Sequence, residues 1–318
     1  MSQTQTFSIQ IPKQANPSAH PSPILSQNDQ CWTGQFQAMA SDCQVLLEGI
    51  TQQRAEELLR LAAIETWRIE YKFSRYKTGN IMDQINHAYK EKIAVDDETT
   101  ALLNFAEQCY QLSEGLFDVT AGVLRKIWHF DGSDSIPSPQ EINNILPFIG
   151  WHKIQWKAPY IKLSKGMELD LGGIGKEYAV DKVCLLLQNQ IAQSENCRIL
   201  INFGGDLACS GPRLNGEAWQ VAVESYQDQK KAILNVKLNK GGIATSGDSR
   251  RFLLKDGIRY SHILNPKTGQ SISNAPHSIS VAAPSCMQAG MLSTMAMLQG
   301  EYAEEFLKAQ EADFWVQR

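Results

Sequence analysis

A bend rich in glycine is the stretch of this sequence best suited to bind a ligand. Residues 167–171 predict a short apolar strand, residues 172–175 supply three glycines, and a helix follows. Glycines at such a junction let the backbone approach a ligand, and the free N–H groups of the helix attract an anion. With Lys176 in the first helical turn and Asp170 before the bend, the stretch could bind a pyrophosphate. Glycine is also common in any strand-to-helix connection, so the bend alone does not establish this.

His262 is the candidate acid or base. It precedes the turn that begins at Asn265-Pro266 and lies at the end of a predicted strand. An imidazole in that position can transfer a proton or contact a phosphate. A histidine that is hydrogen-bonded to a backbone carbonyl would fit the same position, and the local residues do not separate the two interpretations.

Other polar residues have two possible roles each. Tyr76 and the basic side chains beside it, in the segment 73–86, could hold a base and a phosphate, or Tyr76 could pack on the core from a turn. Asp118 and Thr120 are polar inside an apolar run and serve either as turn caps or as ligand contacts. The hydroxyls at 293–294 lie on a predicted helix, where such groups usually bond back to the backbone.

Composition excludes several classes of protein. The 318-residue chain is 43% hydrophobic, which is enough for a large core, and its net charge is −4. No run of Lys or Arg points to nucleic acid or an anionic membrane as a partner. No stretch approaches the ~20 apolar residues of a membrane span. Seven cysteines without a Cys-x-x-Cys pair indicate reduced core thiols rather than zinc ligands.

The chain divides into a lead-in and one domain. Residues 1–30 are rich in Ser, Gln, Pro and Asn and contain no apolar block. We therefore expect a disordered segment rather than a secretory signal, which together with the cysteines predicts a cytoplasmic protein. Residues 31–318 contain no internal repeat and no linker, so they are expected to form a single domain.

Apolar periodicity predicts helices and strands in alternation. The predicted helices span residues 56–71, 96–113, 139–148, 179–191, 288–298 and 301–310. Strands are predicted at 32–49, within 154–163 as a short pair, and at 167–171, 198–203, 219–224, 233–238, 278–283 and 314–316.

Eight short motifs follow one another along the chain. They are Met39, Phe73-Ser74-Arg75-Tyr76 with Asn86, Gly115-Leu116-Phe117-Asp118 with Thr120, Leu169-Asp170-Leu171-Gly172 with Lys176, Gly204-Gly205-Asp206, Thr245-Ser246-Gly247, His262 with Pro266 and Thr268-Gly269, and Ser293-Thr294. In this order they resemble the ApbE family, the FAD:protein FMN transferases. The resemblance extends from about Phe36 to the C-terminus.

The resemblance implies both a fold and a reaction. The fold would be α/β (α+β) of the T-fold-like kind, mainly antiparallel sheet with flanking helices around a cleft for the flavin nucleotide. FAD would be the substrate, with a divalent cation, usually magnesium, polarising its pyrophosphate. A threonine hydroxyl of an acceptor flavoprotein would attack the FMN phosphorus, and AMP would leave.

The resemblance also assigns roles to individual residues. His262 would orient or deprotonate the attacking hydroxyl, or stabilise charge at the phosphate. Tyr76 would stack on a ring system, and Asp118 and Asp170 would accept hydrogen bonds from sugar or base edges. The full set of expected FAD contacts is Met39, Tyr76, Leu116, Phe117, Asp118, Asp170, Lys176 and Leu264.

The expected metal site departs from the family pattern. By resemblance, the carbonyl of Gly173 and the hydroxyl of Thr294 would hold the cation, with Ser293 as a weaker oxygen ligand. Gly290 occupies the place of the usual aspartate. A hard cation prefers carboxylate oxygens, and its attraction to one at ~4 Å is worth several kcal/mol. A nearby acid such as Asp248 could replace the aspartate, the phosphates of the ligand could hold the ion, or catalysis could be weakened.

Three functions remain open on this basis. A metal-assisted flavin transferase explains the order of the motifs and the presence of Lys176, His262 and Thr294. An FAD-binding protein without transferase activity would explain Gly290. A metal-dependent FAD pyrophosphatase would use water in place of the acceptor hydroxyl.

Overall fold

The computed structural model describes residues 20–29, 31–192, 195–226, 232–248 and 252–318, and within these ranges strands outnumber helices. The strands are β1 (Ile24–Asn28), β2 (Cys31–Ala38), β3 (Ser41–Glu48), β4 (Ile93–Ala94), β5 (Gln155–Lys157), β6 (Tyr160–Lys162), β7 (Arg198–Phe203), β8 (Asp206–Cys209), β9 (Trp219–Glu224), β10 (Ala232–Leu238), β11 (Gly241–Gly247), β12 (Phe252–Lys255), β13 (Ile258–Ser261), β14 (Ser278–Ala283) and β15 (Asp313–Gln317). The α-helices are α1 (Gln52–Phe73), α2 (Ile81–His87), α3 (Asp97–Leu112), α4 (Pro139–Ile145), α5 (Gly175–Gln190), α6 (Cys286–Leu298) and α7 (Ala303–Ala309). A 3₁₀ helix, Val119–Lys126, lies between α3 and α4.

The largest sheet is antiparallel throughout. Within the described ranges its strands follow the order β1-β2-β3-β7-β8-β11-β14-β15, and each pair of neighbours runs antiparallel. Helices α1, α5 and α6 pack on it, α1 against β2, α5 against β7 and β8, and α6 against β11 and β14. This arrangement confirms the predicted mixed α/β fold, mainly antiparallel sheet with flanking helices.

Alternate residues of β7 show how both faces of the sheet are covered. Ile199, Ile201 and Phe203 belong to the main core, which includes the apolar sides of α1 and α5. Leu200 belongs to a second cluster, formed with the β9–β10 hairpin. Successive side chains of a strand point to opposite faces, so the helices cover one face and the hairpin covers the other. Inside the described ranges, no helix combines the length and the apolarity needed to cross a membrane.

Most predicted elements are confirmed, but residues 32–49 are not one strand. The chain turns back at Met39 and Ala40, so that β2 and β3 form a hairpin with Ala38 opposite Ser41. Both turn residues have positive φ angles, 53° and 54°. A two-residue turn with positive φ angles normally carries Asn-Gly or Asp-Gly. Met39 and Ala40 form neither pair, so the residue types did not predict the hairpin.

Two further predictions were wrong. Residues 167–171 are not a strand; they form an irregular segment that is fixed by the Asn86 side chain, which exchanges hydrogen bonds with the backbone of Leu169 at 2.7 and 3.1 Å. The disordered lead-in does not extend to residue 30, because Ile24–Asn28 form the edge strand β1. This strand is held by backbone bonds and is mostly exposed, which explains its polar composition. Residues 1–19 of the predicted lead-in lie outside the described residues.

Candidate functional site

The glycine bend lies directly before the first turn of α5. Gly172 and Gly173 are exposed, and α5 begins at Gly175. Ile174 occupies the N-cap position and provides no side-chain hydrogen bond to the helix. The N-cap side chain therefore bonds to none of the first N–H groups of α5. The Gly175 N–H donates to the Leu171 carbonyl at 2.8 Å, and the N–H groups that follow it suit the binding of an anion at the bend.

Arg75 joins two of the predicted contact residues. Its guanidinium group pairs with the Asp170 carboxylate and also donates to the Tyr76 hydroxyl at 2.7 Å. The Tyr76 ring lies 4.9 Å from the guanidinium carbon and is 75% exposed. Gly122 leaves space for the Asp170 side chain, because a Cβ on Gly122 would lie 2.5 Å from the Asp170 Cβ. Tyr76 thus offers an open aromatic face beside an ion-paired carboxylate instead of packing on the core.

Phe117 and Asp118 lie in the segment between α3 and the 3₁₀ helix, which packs against the bend. The buried Phe117 ring lies 3.6 Å from the position that a Cβ on Gly173 would occupy. Asp118 accepts hydrogen bonds from the Thr120 N–H and hydroxyl through one oxygen and from the Trp151 N–H through the other. Burial raises the pKa of Asp118. Its carboxylate therefore caps the 3₁₀ helix, and the predicted contact with a sugar or base edge stays a prediction, as it does for the half-buried Leu116.

Lys176 forms a buried ion pair with Asp206. The Lys176 Nζ lies 2.8 Å from Asp206 Oδ2, and Asp206 is only 2% exposed. Burial raises the pKa of Asp206 in spite of this pairing. Burial alone would lower the pKa of Lys176, but attraction to Asp206 outweighs it and raises that pKa. Lys176 is therefore charged, and Asp206 fixes it next to the bend.

The hairpin turn at Met39 lies beside this ion pair. A Cβ on Gly204 would lie 2.7 Å from Ser41 Oγ and 3.7 Å from Lys176 Nζ. The Met39 N–H donates to a carboxylate oxygen of Glu70 on α1 at 2.8 Å. Met39, predicted to contact FAD, thus lies in a turn whose Ser41 approaches the same glycine, Gly204, as the Lys176 amine.

Three of the four residues of the predicted metal site, Gly290, Ser293 and Thr294, lie on α6, and Gly173 lies in the glycine bend before α5. Gly290 and Thr294 are four positions apart, so both lie on the same face of the helix. The Ser246 hydroxyl bonds to the hydroxyls of Thr294 at 2.8 Å and of Ser293 at 2.9 Å. Ser293 also donates to the Gly290 carbonyl at 3.1 Å, which is the bond back to the helix expected of such hydroxyls.

Glu177 fills the space beside Gly290. A Cβ on Gly290 would lie 2.6 Å from Glu177 Cγ and 3.0 Å from Oε1. Glu177 Oε2 is buried and has no hydrogen-bond partner among the described residues. Burial, together with the nearby Asp206, raises the pKa of Glu177. No cluster of three or more His, Cys, Asp or Glu side chains suited to a metal is found in the described part of the chain.

His262 lies at the end of β13, as predicted, in a loop that packs on the segment after the 3₁₀ helix. Its ring makes an edge-to-face contact with Phe130 at 6.2 Å between centroids. Trp128 donates to the Gly269 carbonyl at 2.8 Å and so fixes the far end of the loop. Leu264 pairs with Ser271 and packs in the cluster around Trp128. The same 3₁₀ helix therefore makes two contacts. Leu124 lies next to Gly269 in this loop, and Gly122 lies next to Asp170.

Two side chains at the site were not assigned a role from the sequence, Asp206 and Glu177, and the basic side chains beside Tyr76 were considered only as phosphate contacts. Arg75 and Asp206 occur inside quoted motifs, but their partners, Asp170 and Lys176, are distant in the chain. For Glu177 the available signal was a glycine inside a helix, which costs about 1 kcal/mol relative to alanine and so indicates a close contact. Asp248, the replacement ligand considered from the sequence, is instead engaged by Arg259 at 3.0 Å through each oxygen.

The ApbE family model matches residues 39–315 of this chain. An FAD:protein FMN transferase of Vibrio cholerae is 32% identical over 236 residues, which cover 72% of this chain and 69% of that protein. The FAD:protein FMN transferase of Salmonella typhimurium is 29% identical, with 83% of this chain and 77% of that protein covered.

Solved structures agree with these matches. The crystal structure of an ApbE protein from Thermotoga maritima superposes with a TM-score of 0.79 at 28% identity, over 90% of this chain and 94% of that chain. The flavin transferase ApbE from Vibrio cholerae superposes with a TM-score of 0.77 at 25% identity, over 92% of this chain and 94% of that chain.

Proposed function

This chain belongs to the ApbE family, and from that premise we propose that it is an FAD:protein FMN transferase. It takes FAD as substrate and attaches FMN to a threonine of an acceptor flavoprotein, with release of AMP. The observation that carries the proposal is the gathering of Tyr76, Asp170, Lys176 and Phe117 around one glycine bend.

The reaction is a phosphoryl transfer. The acceptor threonine Oγ forms a bond to the phosphorus of the FMN phosphate, and the bond from that phosphorus to the bridging oxygen breaks. The bridging oxygen leaves with AMP, and the threonine proton passes to a base. Such reactions depend mainly on positioning and on neutralising the charge that spreads over the phosphate oxygens.

Each residue of the site supports one part of this reaction. The exposed ring of Tyr76 stacks on a ring of FAD, and Asp170 accepts from its sugar or base edge. Lys176, charged and fixed by Asp206, places its ammonium group at the pyrophosphate. His262, at the end of β13, accepts or orients the proton of the attacking hydroxyl.

Magnesium is the proposed cation, and when bound it polarises the pyrophosphate and neutralises the negative charge of the leaving group. The Gly173 carbonyl and the Thr294 hydroxyl are the proposed ligands, with Ser293 beside them and no side-chain oxygen from Gly290. One buried oxygen of Glu177 has no hydrogen-bond partner in the described part of the chain, and it fits a cation between α5 and α6. The residues present are thus compatible with an oxygen-bound divalent ion.

A transfer assay tests the proposed function. The purified protein is incubated with FAD, Mg²⁺ and a flavoprotein domain that accepts FMN from a related flavin transferase. We expect in-gel flavin fluorescence on the acceptor and one AMP released per label, both abolished by EDTA. Tightly bound FAD with no labelled acceptor would favour a binding protein instead. Free FMN and AMP formed without acceptor would favour a pyrophosphatase.

Removal of the Tyr76 ring should weaken FAD binding. A stacked base contributes about 1–3 kcal/mol, so we expect Tyr76→Ala to raise the Kd for FAD by roughly 5–150-fold. Quenching of flavin fluorescence measures this. The matched control is Tyr160→Ala, which removes another exposed tyrosine ring, on β6. Equal FAD affinity in Tyr76→Ala and the control would contradict the stacking role.

We also propose that the reaction takes place in the cytoplasm. All seven cysteines are free and six of them are buried, which suits a reducing compartment. The flavinylated acceptor should then be recovered in the cytoplasmic fraction of cells that produce both proteins.

A further inference from the structure

Glu177 and Gly290 fit together only as a pair. Gly290 lies inside α6, where glycine is unfavourable, and Glu177 lies in the first turn of α5. A Cβ on residue 290 would lie 2.6 Å from Glu177 Cγ, closer than two carbon atoms can pack. Any longer side chain on residue 290 therefore requires Glu177 to move. The glycine leaves room for the stem of Glu177 to cross from α5 to α6.

The carboxyl group that arrives there is short of partners. Glu177 Oε2 is buried without a hydrogen bond from the described residues, and Asp206 adds negative charge nearby. A buried carboxyl group in this state is unfavourable unless a cation or a donor compensates it. Lys176, the adjacent cation, is already paired with Asp206 at 2.8 Å.

The surrounding oxygens complete an arrangement that a divalent ion prefers. Thr294 lies one helical turn beyond Gly290, on the same face of α6, and its hydroxyl is oriented by Ser246. The glycine bend, with Gly173, immediately precedes the turn of α5 that carries Glu177. Glu177 therefore lies between the two elements that carry the proposed hydroxyl and carbonyl ligands.

We infer that Glu177 supplies the carboxylate ligand for the divalent cation, reaching from α5 into the place where an aspartate at position 290 would reach from α6. This inference rests on the proposed function, because it concerns the cation of that reaction. The site keeps one negative charge at the same place, but the acidic residue lies on α5 instead of α6.

Other acids nearby are already engaged. Asp248 is paired with Arg259 through both oxygens, and His277 lies 3.3 Å from one of them. Asp181 accepts from the backbone N–H groups of Cys286 and Met287 at 2.9 and 2.8 Å, so it caps the start of α6. Among the described residues, Glu177 and Asp206 each have a buried oxygen without a hydrogen-bond partner. The Asp206 oxygen is paired with the Lys176 ammonium group, so Glu177 is the acid left for a ligand.

The test measures Mn²⁺ binding rather than activity. Free Mn²⁺ is followed by its electron paramagnetic resonance signal during titration of the full-length protein, with FAD and without acceptor. We expect Glu177→Gln, which keeps the shape and removes the charge, to raise the Kd for Mn²⁺ roughly 10-fold or more. Its affinity for FAD without a metal should equal that of the wild type, which shows that the fold is intact. Asp248→Asn is the matched control and should leave the Mn²⁺ affinity unchanged.

A swap of the two positions gives an independent test. The double variant Glu177→Gly with Gly290→Asp should bind Mn²⁺ within about threefold of the wild type, a difference below ~1 kcal/mol. Gly290→Asp alone should lower the Tm, because its side chain meets Glu177. Unchanged Mn²⁺ affinity in Glu177→Gln, or an equal loss in Asp248→Asn, would overturn the inference. If wild-type protein neither binds FAD nor labels an acceptor, the proposed function itself fails, which is a different result.

Discussion

Replacement of His262 by alanine is expected to lower the rate of FMN transfer by about 10²–10⁴-fold, the range typical of removing a general acid or base. FAD affinity should change little, because Tyr76, Asp170 and Lys176 lie on other elements and are held by their own partners. The rate is measured as acceptor fluorescence over time under single-turnover conditions, and the affinity by flavin fluorescence.

A second substitution separates the possible roles of this histidine. Asparagine can still hold a hydroxyl by a hydrogen bond but cannot accept a proton at neutral pH. If His262 acts as a base, His262→Asn and His262→Ala should be equally slow. If it only orients the hydroxyl, His262→Asn should recover part of the rate. The control is His129→Ala, an exposed histidine next to Phe130; transfer by His262→Ala at the rate of this control would contradict both roles.

The elements of the fold could be predicted where a periodic apolar pattern was present. Helices α1, α3 and α5 carry broad apolar stripes, and their observed bounds lie close to the predicted ones. The hairpin at Met39 was missed because its turn residues are neither glycine nor asparagine. Strand β1 was missed because an exposed edge strand depends on backbone pairing, which leaves little trace in residue type.

The candidate site was predictable to the extent that its residues are neighbours in the chain. The bend, Lys176 and Asp170 lie within seven positions, so their proximity follows from the sequence. The pairing of Lys176 with Asp206, and of Glu177 with Gly290, depends on how α5 packs against β8 and α6. No local pattern encodes such a contact. The sequence therefore indicated only that Gly290 lacks the carboxylate of the usual aspartate.

Replacement of Lys176 by methionine should affect both stability and substrate binding. Methionine fills a similar volume but leaves Asp206 buried without its partner, which costs 3–5 kcal/mol for a fully buried pair. Because the Lys176 side chain is 28% exposed, we expect a smaller loss of about 2 kcal/mol in the free energy of unfolding. Loss of a charged hydrogen bond to the pyrophosphate should weaken FAD binding by about 1.5–3 kcal/mol. Urea denaturation and flavin fluorescence measure the two effects.

The pH dependence of that stability loss follows from Asp206. Burial already raises the pKa of Asp206, and removal of the lysine charge should raise it further. A carboxyl whose pKa is higher in the folded than in the unfolded protein favours folding below its unfolded pKa, and this contribution is lost as pH rises through the folded pKa. The deficit of Lys176→Met should therefore be small near pH 4 and grow towards neutral pH.

The double variant Lys176→Met with Asp206→Asn distinguishes the two effects of the single change. Because the buried Asp206 charge is removed together with its partner, it should recover most of the lost stability at neutral pH. Its FAD affinity should stay as low as that of Lys176→Met, because the ammonium group at the pyrophosphate is still missing. Recovery of FAD affinity together with stability would mean that Lys176 serves the fold alone, and the bend would then bind its anion without this side chain.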